Sequence, residues 1–406
     1  MNRTQIFLAL AGVLLVGALW LANERSLPRE DHHRPPDAST HGQVLLDLRT
    51  THPWVTARRT EAFVTVELTG GHAAIQRRAP LQLALIIDRS GSMHGAALEH
   101  AKEAALHLIS RLEPHDQLTV VHYGSDVEVL ALSPMAPLGK EAARAFVRGI
   151  HDDGGTNVGG GLEAAWRELS RPGDDVRILR RAILLTDGRP TEGQVEDAAL
   201  LQLARAMRAS GITLSTLGLG DDFNEDLLAS LADVGAGTYG YLQHARGIAS
   251  LFARDLELAT RTVAQRAELV LTPANGVTLE RVLGARGTHD GAQLRIPLPD
   301  LAAGQVERVV AAVTFGGGIE RVGSHALSAE LRWTDPETGA PRVRAASLEL
   351  KHTEDSDLAL ARRDPFAGAL TAHALAAEQS QLAARALEQG DAAAVEAHIA
   401  TNRELV

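Results

Sequence analysis

The sequence contains no cysteine. That absence excludes disulfides, cysteine-ligated zinc, iron–sulfur clusters, thiol catalysis and lipidation through cysteine. It fits any redox compartment, because there is nothing to oxidise. Aromatic residues are scarce, at four Trp, three Tyr and seven Phe, a compositional bias that carries no function of its own. Positive charge is also short: 40 Lys and Arg stand against 51 Asp and Glu, a net of −11. A nucleic-acid binder that works through bulk basic charge is excluded, since neutralising phosphates supplies most of such affinity. Long apolar runs are limited to one, Ile6–Ala22. A single span cannot form a pore by itself, so a channel built from this chain alone is disfavoured.

What is present suits a folded protein. Hydrophobic residues make up 45% and charged residues 22% of the 406, close to the soluble globular average. The length corresponds to roughly two to three domains at about 150 residues each. As a helix, Ile6–Ala22 would span about 25 Å, the lower limit for crossing a bilayer. The late cleavage candidates, Ala18-Leu19-Trp20 and Trp20-Leu21-Ala22, each carry a bulky Trp where a signal peptidase needs small residues. Residues 1–22 are therefore expected to stay as a membrane anchor; the alternative is a cleaved signal and a secreted protein. Arg3 precedes the run, while Arg25 and Arg29 are offset by Glu24, Glu30 and Asp31. That bias favours an N-in orientation, which places the protein in the cell envelope, anchored in the inner membrane and facing the periplasm or exterior. Residues 23–40, polar and Pro-rich, read as a tether. His32-His33 within it reads as a solvated dipeptide rather than a metal pair.

Periodicity gives the fold class. Gln43–Arg49 and Ala62–Thr69 look like strands; in the second, Ala62, Val64, Val66 and Leu68 alternate with Phe63, Thr65 and Glu67, which suits a half-buried antiparallel strand. Leu81–Ile87 is nearly all apolar, as in a parallel strand covered on both faces. Helices at 96–112, 140–149, 162–170, 195–209, 224–234 and 247–262 then alternate with strands at 118–123, 127–132, 182–186, 212–217 and 238–242. That alternation predicts right-handed βαβ units in a doubly wound α/β sheet. Short strands return at 268–271, 277–282, 294–298, 307–315, 326–333 and 343–350, with a turn at Asp335-Pro-Glu-Thr-Gly339, and suggest a sandwich. The strands at 43–69 have no partner nearby in sequence and are expected to join this later sheet. The α/β domain, 81–262, is thus inserted in an all-β, sandwich-like domain made of 41–80 and 263–352. The Ala-rich stretch 356–406 reads as a C-terminal helical region that packs on the body or on a partner.

The chemistry concentrates at three points. Asp88-Arg-Ser90-Gly-Ser92 follows the buried strand 81–87. Thr156 lies in Asp152-Asp-Gly-Gly-Thr-Asn157, just before a helix. Asp187 follows strand 182–186 in Thr186-Asp-Gly188. Ligands of open α/β sheets bind at the carboxyl ends of strands, where these loops have room to converge. The donors are hydroxyls and carboxylates. Such a set suits a hard divalent cation, Mg²⁺ above all, with Mn²⁺ or Ca²⁺ as alternatives. Two carboxylates against one dication leave little net charge, so an open position would accept one more carboxylate from a protein partner.

LALIIDRSGSM, DDGGTNVGGGLEAA, AILLTDG and LSTLGLGDDFNEDLLASLA together resemble the von Willebrand factor type A domain, over roughly 81–260. The first three match its metal-ion-dependent adhesion site. The resemblance implies a Rossmann-like sheet with a metal at its C-terminal edge. It also implies that Ser90, Ser92 and Thr156 bind the metal directly while Asp88 and Asp187 act mainly through water. With its flanking β segments, the chain resembles bacterial exported A-domain proteins of the chloride-channel-like or inter-α-trypsin-inhibitor-like kind.

Blander readings compete at each point. Asp88, Ser90 and Ser92 would serve as a helix N-cap. Asp221-Asp222-Phe-Asn224-Glu225-Asp226 lacks EF-hand spacing and reads as an acidic loop capping helix 224–234. Ser92 beside His94 suggests a nucleophile and base, but no G-x-S-x-G elbow is present. Gly159-Gly-Gly161 lacks the Lys-Ser/Thr of a phosphate loop and reads as a helix start. The expectation is a non-enzymatic protein-binding module; an auxiliary subunit of a membrane channel or secretion complex is the first alternative, a metal-dependent hydrolase the second.

Overall fold

The computed structural model describes residues 44–405, apart from 57–59, 72–78, 172–176, 220–223, 243–246, 284–286, 316–324 and 389–390. The apolar run Ile6–Ala22, the tether 23–40 and positions 221–223 of the acidic loop lie outside the described residues. Among the described residues no helix is long and apolar enough to cross a membrane.

The chain opens with β1 (Val44–Thr50), β2 (Trp54–Val55) and β3 (Thr60–Gly70). Ala62, Val64, Val66 and Leu68 of β3 are buried, as their alternation requires. β4 (Leu81–Asp88) is buried along its whole length. Its Leu81, Leu83, Leu85 and Ile87 face one helical layer, and its Ala84 and Ile86 the other. Each fully buried Leu or Ile contributes roughly 1.5–3 kcal/mol, so β4 is the spine of this part of the molecule.

Around it follow α1 (Ala96–Arg111), β5 (Gln117–Tyr123), β6 (Val127–Pro134), α2 (Pro137–Arg148), α3 (Val158–Leu169), β7 (Leu179–Thr186), α4 (Asp197–Ala209), β8 (Ile212–Leu219), α5 (Glu225–Val234), β9 (Ala236–Leu242) and α6 (Ile248–Thr260). The strands form one sheet in the order β6-β5-β4-β7-β8-β9. β6 runs antiparallel to β5; the other neighbours are parallel. α1, α2 and α6 cover one face and α3, α4 and α5 the other. The order reverses between β4 and β7, and the crevice at such a switch point is where α/β sheets bind ligands.

β10 (Thr262–Pro273) begins almost at once after α6. β11 (Val277–Leu283), β12 (Thr288–Asp290), β13 (Gln293–Pro297), β14 (Leu301–Ala302), β15 (Val306–Phe315), β16 (His325–Thr334), β17 (Pro341–Glu349) and β18 (Lys351–His352) follow. One sheet has the order β1-β3-β15-β11; the other runs β12-β13-β10-β16-β17, with β14 on β10. Val64, Val66, Leu68, Leu269, Leu271, Val309, Val313, Leu331 and Trp333 share one core between them. β3 and β15 pair antiparallel from Thr69↔Val306 to Thr60↔Phe315, and Arg308 Nε donates to Glu67 Oε2 at 2.8 Å.

Several boundaries differ from the sequence reading, among them the starts of α2 at Pro137 and β7 at Leu179, and three of the differences have a clear physical cause. α3 starts at Val158, not Leu162, because the Asn157 side chain accepts from Gly160 N–H at 2.9 Å and caps the glycine-rich first turn. The last helix of the α/β part stops at Thr260, and Thr262 already belongs to β10. β10 is far longer than 268–271, since it passes through an irregular register between Gln265 and Glu268 where Arg266 takes a left-handed φ of 54°. Asp300 holds that point: its carboxylate accepts from Arg266 N–H at 3.0 Å and from Thr213 Oγ1 at 3.1 Å, and lies 3.6 Å from the Arg181 guanidinium.

The C-terminal region comprises α7 (Ser356–Ala361), α8 (Pro365–Glu388) and α9 (Ala392–Leu405). α8 lies against the β1-β3-β15-β11 sheet: Arg49 stacks over the Phe366 ring at 5.2 Å, and Arg281 pairs with Glu378. α9 folds back on α8, where Asn402 Nδ2 donates to Ser380 Oγ at 2.8 Å.

Candidate functional site

Each of the three chemical points falls on a loop at the carboxyl end of the parallel strands. Asp88 is the last residue of β4 and is fully buried. Its Oδ1 accepts from Ser90 N–H at 2.8 Å, which turns the chain sharply after the strand. Its Oδ2 accepts from Thr186 Oγ1 at 2.5 Å and from the Tyr123 hydroxyl at 3.4 Å. Ser90 Oγ and Ser92 Oγ stand 3.1 Å apart, and Ser92 Oγ donates to Asp187 Oδ1 at 2.7 Å. Thr156 is buried at the head of the third loop. A methyl group placed on Gly188 would lie 3.5 Å from Ser92 Oγ and 3.6 Å from Thr156 Oγ1, so both hydroxyls flank one small space. The fold thus brings Asp88, Ser90, Ser92, Thr156 and Asp187 together, although Ser92 and Asp187 are 95 residues apart.

The electrostatics of this space are unusual. Burial pushes the Asp88 carboxyl up to about 6, against the hydrogen bonds from Ser90 and Thr186; the neighbouring charge that acts on it is another carboxylate, Asp187. The Tyr123 hydroxyl, fully buried beside Asp88, is held well above its ordinary value by desolvation and stays a donor. Among the described residues, no three His, Asp or Glu side chains group as a metal site; the donors available here are mainly hydroxyls. A hard dication fits that set, since its charge would offset two carboxylates and hydroxyl and carboxylate oxygens are the donors it prefers.

The competing readings fare differently. Ser90 caps only the short turn Gly91–Met93, without a side-chain bond, and α1 starts behind Gly95, so helix capping does not account for the two serines. His94 Nδ1 bonds Asp152 Oδ2 at 3.0 Å, and that bond holds the Asp152 carboxyl below its usual range. The Ser92 hydroxyl points its proton at Asp187, which leaves no serine–histidine dyad here. Asn224 caps α5 through its side chain, which accepts from Leu227 N–H at 3.1 Å.

Residue-type reasoning missed several supports. Thr186, Tyr123, Arg89 and Thr191 hold the site without standing out in sequence. The backbone of Arg89 bridges two loops: its N–H donates to Tyr123 C=O and its C=O accepts from Asp153 N–H, both at 2.8 Å. Its guanidinium is buried, 3.5 Å from Glu128. The position of Thr186 before Asp187 was the one available signal.

A model of the von Willebrand factor type A domain matches residues 82–253. The Synechocystis protein sll0103 is 28% identical over 287 residues, covering 68% of this chain and 66% of that protein. Human inter-alpha-trypsin inhibitor heavy chain H3 is 31% identical over 159 residues, 38% of this chain and 18% of its own length. The chain therefore spans just under two thirds of the first relative and under a fifth of the second. Among solved structures, a von Willebrand factor type A protein from Catenulispora acidiphila superposes with a TM-score of 0.73 at 21% identity, covering 89% of this chain and 85% of that one. The ArnB paralog VWA2 from Sulfolobus acidocaldarius gives 0.59 at 17% identity, covering 89% and 90%. At these identities the structural likeness is one of fold.

Proposed function

Residues 82–253 are a von Willebrand factor type A domain, and from that premise we propose that this chain is a protein-binding module that holds a divalent cation at Asp88, Ser90, Ser92, Thr156 and Asp187. Mg²⁺ is the cation that small, hard oxygen donors favour. The recognition event is the capture of one carboxylate from a partner protein at the open side of the ion. The observation that carries this reading is the convergence of two carboxylates and three hydroxyls at the β4/β7 switch point, with Asp88 buried and its charge offset only by hydrogen bonds. The role in this reading is binding rather than catalysis: the Ser92 hydroxyl is directed at the Asp187 carboxylate, where it serves a cation, and not at an imidazole base. Export and anchorage through Ile6–Ala22, with 23–40 as spacer, complete the proposal and would place the module on the outer side of an inner membrane.

The test uses the full chain, solubilised in detergent and immobilised, with envelope extract in Mg²⁺ or in EDTA, and an Asp88→Ala bait in Mg²⁺. The expected result is a partner retained by the wild type in Mg²⁺ alone. Equal retention in all three lanes would move recognition to the sandwich or the C-terminal helices and overturn the proposal. Anchorage is tested separately by alkaline extraction of membranes, which would release an unanchored protein.

A further inference from the structure

The loop that carries Asp187 continues over the loop that carries Thr156, and the two are closed against each other. Thr191 N–H donates to Thr156 C=O at 3.0 Å, and Thr156 N–H donates to Thr191 Oγ1 at 2.9 Å; Glu192 N–H adds a longer bond to Thr156 C=O at 3.4 Å. A second closure runs beside the first. Ser125 Oγ donates to Glu192 Oε1 at 2.9 Å and accepts from Gly155 N–H at 2.9 Å. Side chains pack directly on these two backbones: a Cβ on Gly155 would lie 2.5 Å from Glu192 Oε1, and one on Gly193, already at φ +65°, 2.3 Å from Asn157 Oδ1. Both backbone polar groups of Thr156 are therefore satisfied by residue 191, which sits four positions beyond Asp187 on the same loop.

We propose that Thr191, backed by the Ser125–Glu192 bridge, is a positioning residue that sets the separation of Thr156 from Asp187 and thereby the size of ion the site accepts. This inference rests on the metal-binding reading above. Thr191 is exposed and is not among the metal-binding set. Its leverage comes from geometry: Mg²⁺ demands near-octahedral oxygens at about 2.0–2.1 Å, whereas Ca²⁺ accepts about 2.3–2.6 Å with loose geometry. A pair of loops fixed at one spacing favours the exacting ion. Releasing the clasp removes that preference before it removes binding.

The experiment titrates the full chain with MgCl₂ and, separately, CaCl₂, following heat by calorimetry, for the wild type, Thr191→Val, Thr191→Ser and Ser125→Ala. Thr191→Val keeps the branched shape and deletes the acceptor of the Thr156 N–H. It is expected to weaken Mg²⁺ about tenfold or more, the usual cost of losing a partner that orients a ligand, and Ca²⁺ by clearly less, so that the Mg²⁺ to Ca²⁺ affinity ratio falls. Thr191→Ser restores the ratio, and Ser125→Ala shifts it in the same direction by a smaller factor. In EDTA, hydrogen exchange at the Thr156 amide accelerates in Thr191→Val while the melting temperature stays with the wild type. Wild-type Mg²⁺ affinity in Thr191→Val, or equal losses for both ions, overturns the inference. Should that variant fail to fold, Ser125→Ala carries the same comparison. A wild type that binds neither ion overturns the metal-binding reading itself.

Discussion

Replacing Asp88 with Asn should make the metal-free protein more stable while making it blind to metal. The carboxyl is fully buried and rises from an ordinary 3.8 to about 6. At 1.36 kcal/mol per pH unit, ionising it in the fold rather than in the unfolded chain costs about 3 kcal/mol at pH 7. Because the folded value lies above the unfolded one, the folded state takes up the proton first. The metal-free wild type is therefore expected to gain stability as pH falls through about 6 toward 3.8, and to lack that stability above about 6. An Asn at 88 has no charge to desolvate. Its Oδ1 keeps the Ser90 N–H, its Nδ2 donates to Thr186 Oγ1, and the Thr186 hydroxyl turns to Gly188 C=O, which lies 3.4 Å away, while the buried Tyr123 hydroxyl loses Oδ2 as acceptor and trims the gain. Each kcal/mol is worth roughly 2–4 °C for a unit of 150–250 residues, so the gain has a ceiling of about 6–12 °C. Thermal unfolding at about pH 7.5 in EDTA and in excess Mg²⁺ reads both effects. The variant should melt above the wild type in EDTA, and its midpoint should not move with Mg²⁺; the wild type should rise with Mg²⁺, as any ligand of the folded state requires. A variant that melts at or below the wild type in EDTA, or an advantage that does not shrink below about pH 6, would refute the reasoning.

Two further predictions concern groups away from the metal set. His122 is buried against Phe146, with ring centroids 5.0 Å apart, and burial pushes its imidazole down to about 4. The unfolded chain protonates it at about 6.5 and the fold does not until about 4, so stability is lost between those values, by up to about 3 kcal/mol; His122→Phe should flatten that part of a urea-midpoint profile, and an unchanged profile would count against the assignment. Asp300→Ala leaves the buried Arg181 guanidinium without this carboxylate neighbour and should cost about 3–5 kcal/mol in urea unfolding, whereas a loss under about 1 kcal/mol would show that the junction does not depend on this ion pair.

What the sequence made legible was whatever periodicity and residue type encode. The alternation of Ala62, Val64, Val66 and Leu68 announced β3, and the unbroken apolar Leu81–Ile87 announced a strand covered on both faces. Asp88, Ser90, Ser92 and Asp187 were legible as a candidate site because hydroxyls and carboxylates gather directly after buried strands, and Thr156 because its Gly-flanked hydroxyl stands in a loop just before a helix. The extent of β10 was not legible, because Gln265 and Arg266 interrupt the apolar pattern and a left-handed Arg266 has no sequence signature. Gly159–Gly161 were legible as a helix start, but their poor helix propensity set the regular helix later, at 162; the Asn157 cap and packing carry it back to Val158. Thr191 and Ser125 were invisible for a different reason: they act through hydrogen bonds to backbone groups on a distant loop, and single-residue identity carries no trace of that partner.

The pairing of β3 with β15 also governs when the molecule can be assembled. Glu67 and its partner Arg308 lie 241 residues apart, and at synthesis rates of about 5–20 residues per second the second strand leaves the ribosome roughly 12–50 s after the first. Through that interval β3 has β1 on one side and a bare row of N–H and C=O groups on the other. The intervening α/β unit can fold meanwhile, and in doing so it draws the ends of the gap together, which shortens the effective loop and lowers the entropy cost of closing it. Completion of this sheet thus waits on the unit inserted in it, and β3 keeps an unpaired edge until β15 has been made.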